Sequence, residues 1–218
     1  EEAVLKGGLF HGIQVWVNLP ASQKLAPPRY QDIPGTKLGL LASHDGSSLI
    51  RVIAGKVGNQ TGPGITHTPI SLLHVSISPG TSLSIEWKHD FNAIGYVLAG
   101  NGYAGKENIT VNTGHAIEFG RGDFIQMAAS QVQDSRSAAL ELILLGGKPI
   151  REPVAWYGPF VMNNKQQLMQ AFQDYQRGKL GTIPAKAKSN FLSCLILETL
   201  EEGASHEKKI PNPNDHPP

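Results

Sequence analysis

Ala116-Ile117-Glu118-Phe119-Gly120-Arg121-Gly122-Asp123-Phe124-Ile125-Gln126-Met127 reads as strand, turn, strand. Both flanks are short and rich in β-formers, and two glycines and an aspartate separate them. The same grammar repeats on either side. Leu49-Ile50-Arg51-Val52-Ile53-Ala54-Gly55 is a strand closed by glycine. From Leu72 to Ile77 the residues alternate, with Leu73, Val75 and Ile77 on one face and His74 and Ser76 on the other. That two-residue period is the mark of a strand with one buried face. Leu83 to Trp87 alternates again after the Pro79-Gly80 turn, and Ala93 to Ala99 is a mostly apolar strand. Gly100-Asn101-Gly102 reads as a hairpin turn that needs positive φ. Asn108 to Val111 and Ala138 to Leu145 complete the set. About eight short strands joined by tight glycine turns predict an all-β jelly roll.

Outside this region the pattern changes. Ile13 to Leu19 is β-rich, reads as a strand with one buried face, and ends at Pro20. Residues 21–34 hold Pro27, Pro28 and Pro34 and read as an irregular connector. One convincing helix spans Gln166 to Arg177, with Leu168, Ala171, Phe172 and Tyr175 in one apolar stripe. Asn163 or Asn164 is placed to cap it, Gly178 or Gly181 to end it, and the barrel to receive its stripe. Phe191 to Leu200 has the character of a short helix, whereas the polar, proline-bearing residues 184–218 predict a disordered tail.

Composition narrows the function classes. The chain has 218 residues and 40% apolar content, enough for one or two domains with a core. The formal net charge is +1 and the basic residues are scattered, so no nucleic-acid footprint is expected. No apolar run reaches the ~20 residues that cross a bilayer, and no secretion signal is visible. The lone Cys194 rules out an internal disulfide and a Cys-rich zinc site, and suits a reducing compartment. A cytoplasmic location is expected, or a nuclear one in a eukaryote. The sequons Asn59-Gln60-Thr61 and Asn108-Ile109-Thr110 then read as chance matches.

Two segments carry a family resemblance. Gly7-Gly8-Leu9-Phe10-His11-Gly12-Ile13-Gln14-Val15-Trp16-Val17-Asn18-Leu19-Pro20 and Arg151-Glu152-Pro153-Val154-Ala155-Trp156-Tyr157-Gly158-Pro159-Phe160-Val161-Met162-Asn163 resemble the pirin family, as does Tyr30-Gln31-Asp32-Ile33 between them. They occur in the right order at the right separation, and the resemblance covers residues 7 to about 183. It implies a two-domain cupin protein with Fe(II) in the first cupin only. It implies an iron-dependent oxidoreductase of the quercetin 2,3-dioxygenase type, with a flavonol as substrate. The alternative role is a non-catalytic protein-binding module or transcriptional co-regulator. On this reading residues 1–34 are the remnant of the N-terminal cupin. Residues 35–149 are a metal-free C-terminal cupin. Residues 150–183 return along the surface and form the helix. The family's ligands lie upstream of the Trp-Val-Asn segment, and only ten residues precede His11. At most Glu1 or Glu2 would stand near the last carboxylate, and His11 reads as structural. A severed first cupin would leave an exposed edge and apolar face, so the missing half, a protein partner or self-association is expected.

Metal-holding cupins place His-x-His on one strand, so that two imidazoles enter the barrel, and add a Glu and a remote His from neighbouring strands. Laid on this cupin, the pair falls on Glu86 and Lys88, counted from Gly80. The Glu falls on Ala93 and the second His on Ile125. None of the four is a suitable ligand set, so no metal, catalytic or cofactor residue is assigned. Among the 8 histidines, His11, His44, His67, His74, His89, His115, His206 and His216, no two are spaced for a shared metal on one strand or helix. His74 and His115 are candidates to face the barrel interior as hydrogen-bonded core histidines. His89, near Glu86, reads as a partly exposed turn residue. No Gly-x-Ser-x-Gly elbow is present. Gly-Arg-Gly-Asp leads into a strand, which rules out a phosphate loop.

Overall fold

In the computed structural model, residues 7 and 12–181 are described. Residues 18–180 form one compact unit, and residues 1–17 with 181–218 group separately. Cys194 and the expected tail fall outside the described residues.

The strands of the larger unit follow in order: β1 Gly39–Ala42, β2 Ser48–Ala54, β3 Lys56–Val57, β4 Gln60–Thr61, β5 Ile70–Ile77, β6 Ser82–Glu86, β7 Asn92–Ala99, β8 Asn101–Ala104, β9 Ile109–Asn112, β10 Ala116–Phe119, β11 Phe124–Ala129, β12 Leu140–Gly147, β13 Ala155–Tyr157 and β14 Phe160–Met162, before helix α1 Lys165–Gln176. A six-stranded sheet, β1-β2-β5-β12-β7-β10, faces a four-stranded one, β6-β11-β8-β9, and every ladder is antiparallel. This is the jelly-roll architecture.

Alternation places the core between the sheets. Val52, Leu73, Val75, Ile77, Val97, Leu140, Leu142 and Leu144 are fully buried from the large sheet. Ile85, Ala104, Val111, Ile125 and Met127 meet them from the small one.

Gly100 does take positive φ, at 90°, but the expected hairpin is absent. The chain leaves the large sheet at Ala99 and enters the small one at Asn101, so Gly100 is a sheet-to-sheet corner. A side chain at Gly102 would strike the Ala128 carbonyl oxygen, because β8 and β11 pair at that point. The Gly120–Asp123 turn likewise carries the chain from β10 in the large sheet to β11 in the small one.

The strand expected over Ile13–Leu19 is not formed. Gly12 to Val17 are exposed and have no ladder partner among the described residues. A strand needs a neighbour to take its backbone hydrogen bonds, and β propensity alone supplies none.

The helix matches its expected span. The Asn164 side chain accepts from Gln167 N at 2.9 Å, which settles the cap on Asn164 and not Asn163. Gly178 ends the helix at φ 67°. Leu168 and Ala171 are buried, but Tyr175 of the expected stripe is exposed. The aromatic side of the stripe meets the β13–β14 hairpin: the Phe172 ring lies 5.4 Å from Tyr157 and 4.8 Å from Phe160, and Tyr175 lies 6.1 Å from Phe160.

Candidate functional site

The barrel interior is the place where a cupin does its chemistry, so its lining decides first. Glu86 and Lys88 are exposed, and Ile85 and Trp87 point inward. Counting from Gly80 was therefore one residue out of step, and a one-residue slip in a strand exchanges its two faces. Ala93 and Ile125 do point inward, as counted. The four inward places are thus Ile85, Trp87, Ala93 and Ile125, and none offers a lone pair to a metal. Trp87 Nε1 is buried without a hydrogen-bond partner, but it is an N–H donor and cannot ligate. Among the described residues no three His, Cys, Asp or Glu side chains converge. These four side chains supply no ligand to an iron ion.

The histidines expected inside are elsewhere. His115 is exposed in the turn before β10. His74 lies on the outer face of the large sheet, because Leu73 and Val75 take the inward positions on β5. His89 is exposed, with Nδ1 3.2 Å from Asp123 Oδ1, a surface pair of the ordinary kind. His11, Glu1 and Glu2 fall outside the described residues.

His74 sits in a row of polar side chains across three strands. From β2, Arg51 Nη1 approaches His74 Nδ1 at 3.2 Å. From β12, Glu141 Oε2 lies 2.9 Å from His74 Nε2, and Glu141 Oε1 accepts from Ser76 Oγ at 2.9 Å. Arginine only donates, so Nδ1 accepts and the proton sits on Nε2, facing Glu141. Burial holds the imidazole below its ordinary value of 6.5; the Glu141 carboxylate opposes that shift, and the Arg51 charge adds to it. Both ring nitrogens are committed, and the nearby Ser76 hydroxyl serves Glu141. The trio has the residue types of a catalytic relay without a nucleophile on its histidine, so it acts as a cross-strand tie.

A second polar cluster joins the sequence segments that carried the resemblance. Ala21 N donates to Glu152 Oε2 at 2.7 Å, and Asn163 Nδ2 donates to the same oxygen at 3.0 Å. Lys24 Nζ reaches Asn18 Oδ1 at 2.6 Å and the Val161 carbonyl at 3.0 Å. Further along the connector, Gln31 Nε2 donates to the Pro63 carbonyl at 2.7 Å, and its Oε1 accepts from Ile65 N at 3.0 Å. The connector is irregular, as expected, yet fastened to the barrel at several points. Sequence patterning reveals neither end of this clasp, because its partners are 131 residues apart.

A site the sequence reading missed is a shallow groove of about 210 Å³ on the outer face of the small sheet. Ser82, Ser84, Tyr103, Lys106, Asn108 and Gln126 supply its polar lining.

A jelly roll with this strand order and a helix after the last ladder defines the chain as a cupin. The model of the pirin C-terminal cupin domain matches residues 72–181, and the chain belongs to the pirin family. It is 35% identical to a pirin-like protein of Solanum lycopersicum, across 80% of this chain and 58% of that one. It is 31% identical to the pirin of Homo sapiens, across 81% of this chain and 59% of that one. Among solved structures, a quercetin 2,3-dioxygenase from Acinetobacter baumannii matches with a TM-score of 0.67 at 29% identity, over 78% of this chain and 56% of that one. The chain therefore spans somewhat over half the length of the relatives it matches. No helix among the described residues is long and apolar enough to cross a membrane.

Proposed function

We propose that this cupin is the metal-free scaffold domain of a pirin-type oxidoreductase related to quercetin 2,3-dioxygenase. Iron and the flavonol would be held by a preceding cupin, and the 218-residue chain alone is catalytically silent. The observation that carries the reading is the apolar filling of the four inward places, Ile85, Trp87, Ala93 and Ile125. The dioxygenase name of a related structure supports the substrate class. The test is iron per chain by plasma mass spectrometry after anaerobic ferrous loading, read with quercetin-dependent oxygen uptake. Iron near zero and no uptake are expected. Iron approaching one per chain would overturn the reading and direct mutagenesis first to His89, Glu1 and Glu2.

A protein-binding role, including transcriptional co-regulation, is the second reading. The partly apolar outer face of the large sheet favours it, where Leu40 is 56% and Ile94 43% exposed. On that reading, Ile94→Asp releases a partner retained in a low-metal pull-down and leaves the far-ultraviolet circular dichroism unchanged. Retention by both forms would refute it.

A further inference from the structure

The groove on the small sheet has a cause in the register. Ser84 pairs with Gln126, Ser82 pairs with Ala128, and Ala128 pairs in turn with Tyr103. Side chains at paired positions share a face. Serine, serine and alanine thus lie side by side where the neighbouring rows are taller, and they make a floor. Tyr103, 40% exposed, lines the groove beside Ala128. Lys106 and Asn108 stand on the loop between β8 and β9. Asn108 takes φ 53°, a left-handed conformation that asparagine tolerates. The six polar side chains are exposed, and no hydrogen bond or ion pair among the described residues engages them.

We propose that this groove binds a single sugar ring bearing a carboxylate, a uronate. Size argues for one ring, since about 210 Å³ is below the ~300 Å³ where pockets for drug-sized ligands begin. The exposed Tyr103 ring in the lining offers an apolar stacking face. Two hydroxyls and two side-chain amides around it offer both donors and acceptors, which suits a ring carrying hydroxyls on several sides. Lys106 is the only charged residue in the lining, and no carboxylate opposes it there. Glu86 and Glu107 lie near in sequence and outside the lining. An anionic sugar thus gains a charge-assisted hydrogen bond that a neutral one lacks.

The test is a titration of the whole chain, followed by amide chemical shifts, with glucuronate, methyl glucoside and acetate as probes. Glucuronate is expected to move the amides of residues 82–84, 103–108 and 126–128, with a dissociation constant of roughly 1 mM, a weak but measurable affinity. Lys106→Gln should weaken glucuronate about tenfold, the loss of one charge-assisted bond, and leave methyl glucoside unchanged. Ser84→Trp, which fills the floor from an exposed position, should abolish both. Tighter binding of a glucuronate-ended disaccharide points to a glycan, and equal binding to the free acid; either supports the site. Unmoved amides, equal shifts with acetate, or indifference to Lys106→Gln would each overturn it.

Discussion

The His74 row gives a pH dependence whose sign is fixed by its neighbours. His74 is held below 6.5 in the folded chain, chiefly by burial. Above pH 6.5 the imidazole is neutral in both folded and unfolded chains, and the full contribution to stability is present. As pH falls through 6.5 the unfolded chain takes up a proton that the folded chain refuses. Stability is then lost progressively until the folded value is reached. One proton sets the steepest slope, about 1.4 kcal/mol per pH unit. The measurement is urea unfolding between about pH 5 and 8, the span in which histidine titrates, on wild type and His74→Gln. The difference between the two curves removes the background of the carboxylates; it should fall with pH below 6.5, by no more than that slope, and be flat well above. Two further variants move the window oppositely. Glu141→Gln removes the group that raises the histidine, so the loss extends to lower pH. Arg51→Met removes a charge that lowers it, so the window shortens. Parallel curves for wild type and His74→Gln, or shifts of the same sign in the two charge variants, would refute the argument.

Two shorter predictions concern the frame. Leu142, fully buried on the central strand β12, should cost about 2–5 kcal/mol when changed to alanine, measured by urea unfolding. Glu152→Ala should lower stability by about 1–3 kcal/mol, because Ala21 N and Asn163 Nδ2 both lose a charged acceptor, and limited proteolysis within residues 21–34 should accelerate.

Strand existence was legible because its signal is local. The β10–β11 segment shows it: Ala116, Ile117 and Phe119, a glycine turn, then Phe124, Ile125 and Met127, and both strands fall within two residues of their expected bounds. Sheet membership was not legible. Gly100 announces positive φ, and positive φ serves a hairpin and a sheet-to-sheet corner equally well. Facing counted from a motif succeeded at Ala93 and Ile125 and failed on β6, where the strand's own alternation was the better guide. Gly80 put Glu86 and Lys88 inward, whereas the Leu83, Ile85, Trp87 series in the same strand already gave the correct phase. For His74 the alternation was right, since it set the histidine opposite Leu73 and Val75, and only the choice of which face was inside went astray. The groove could have been found from one sign, the small residues Ser82 and Ser84 at outward positions of β6, but Ala128 joins them only through the β6–β11 ladder.

The filling of the barrel also has an energetic side. A cupin that keeps a metal must leave polar groups and space at the interior ends of its strands, and each costs stability because buried polar groups need partners. Here Trp87 fills that region, and its ring also abuts the strand opposite: a side chain at Gly146 would lie 2.8 Å from Trp87 Cζ2. Restoring a ligand at residue 87 would therefore remove the bulk that packs against β12 as well as add an imidazole. The described interior at these four places is packed with apolar side chains, while Tyr103 and Lys106 on one sheet and Leu40 and Ile94 on the other are exposed.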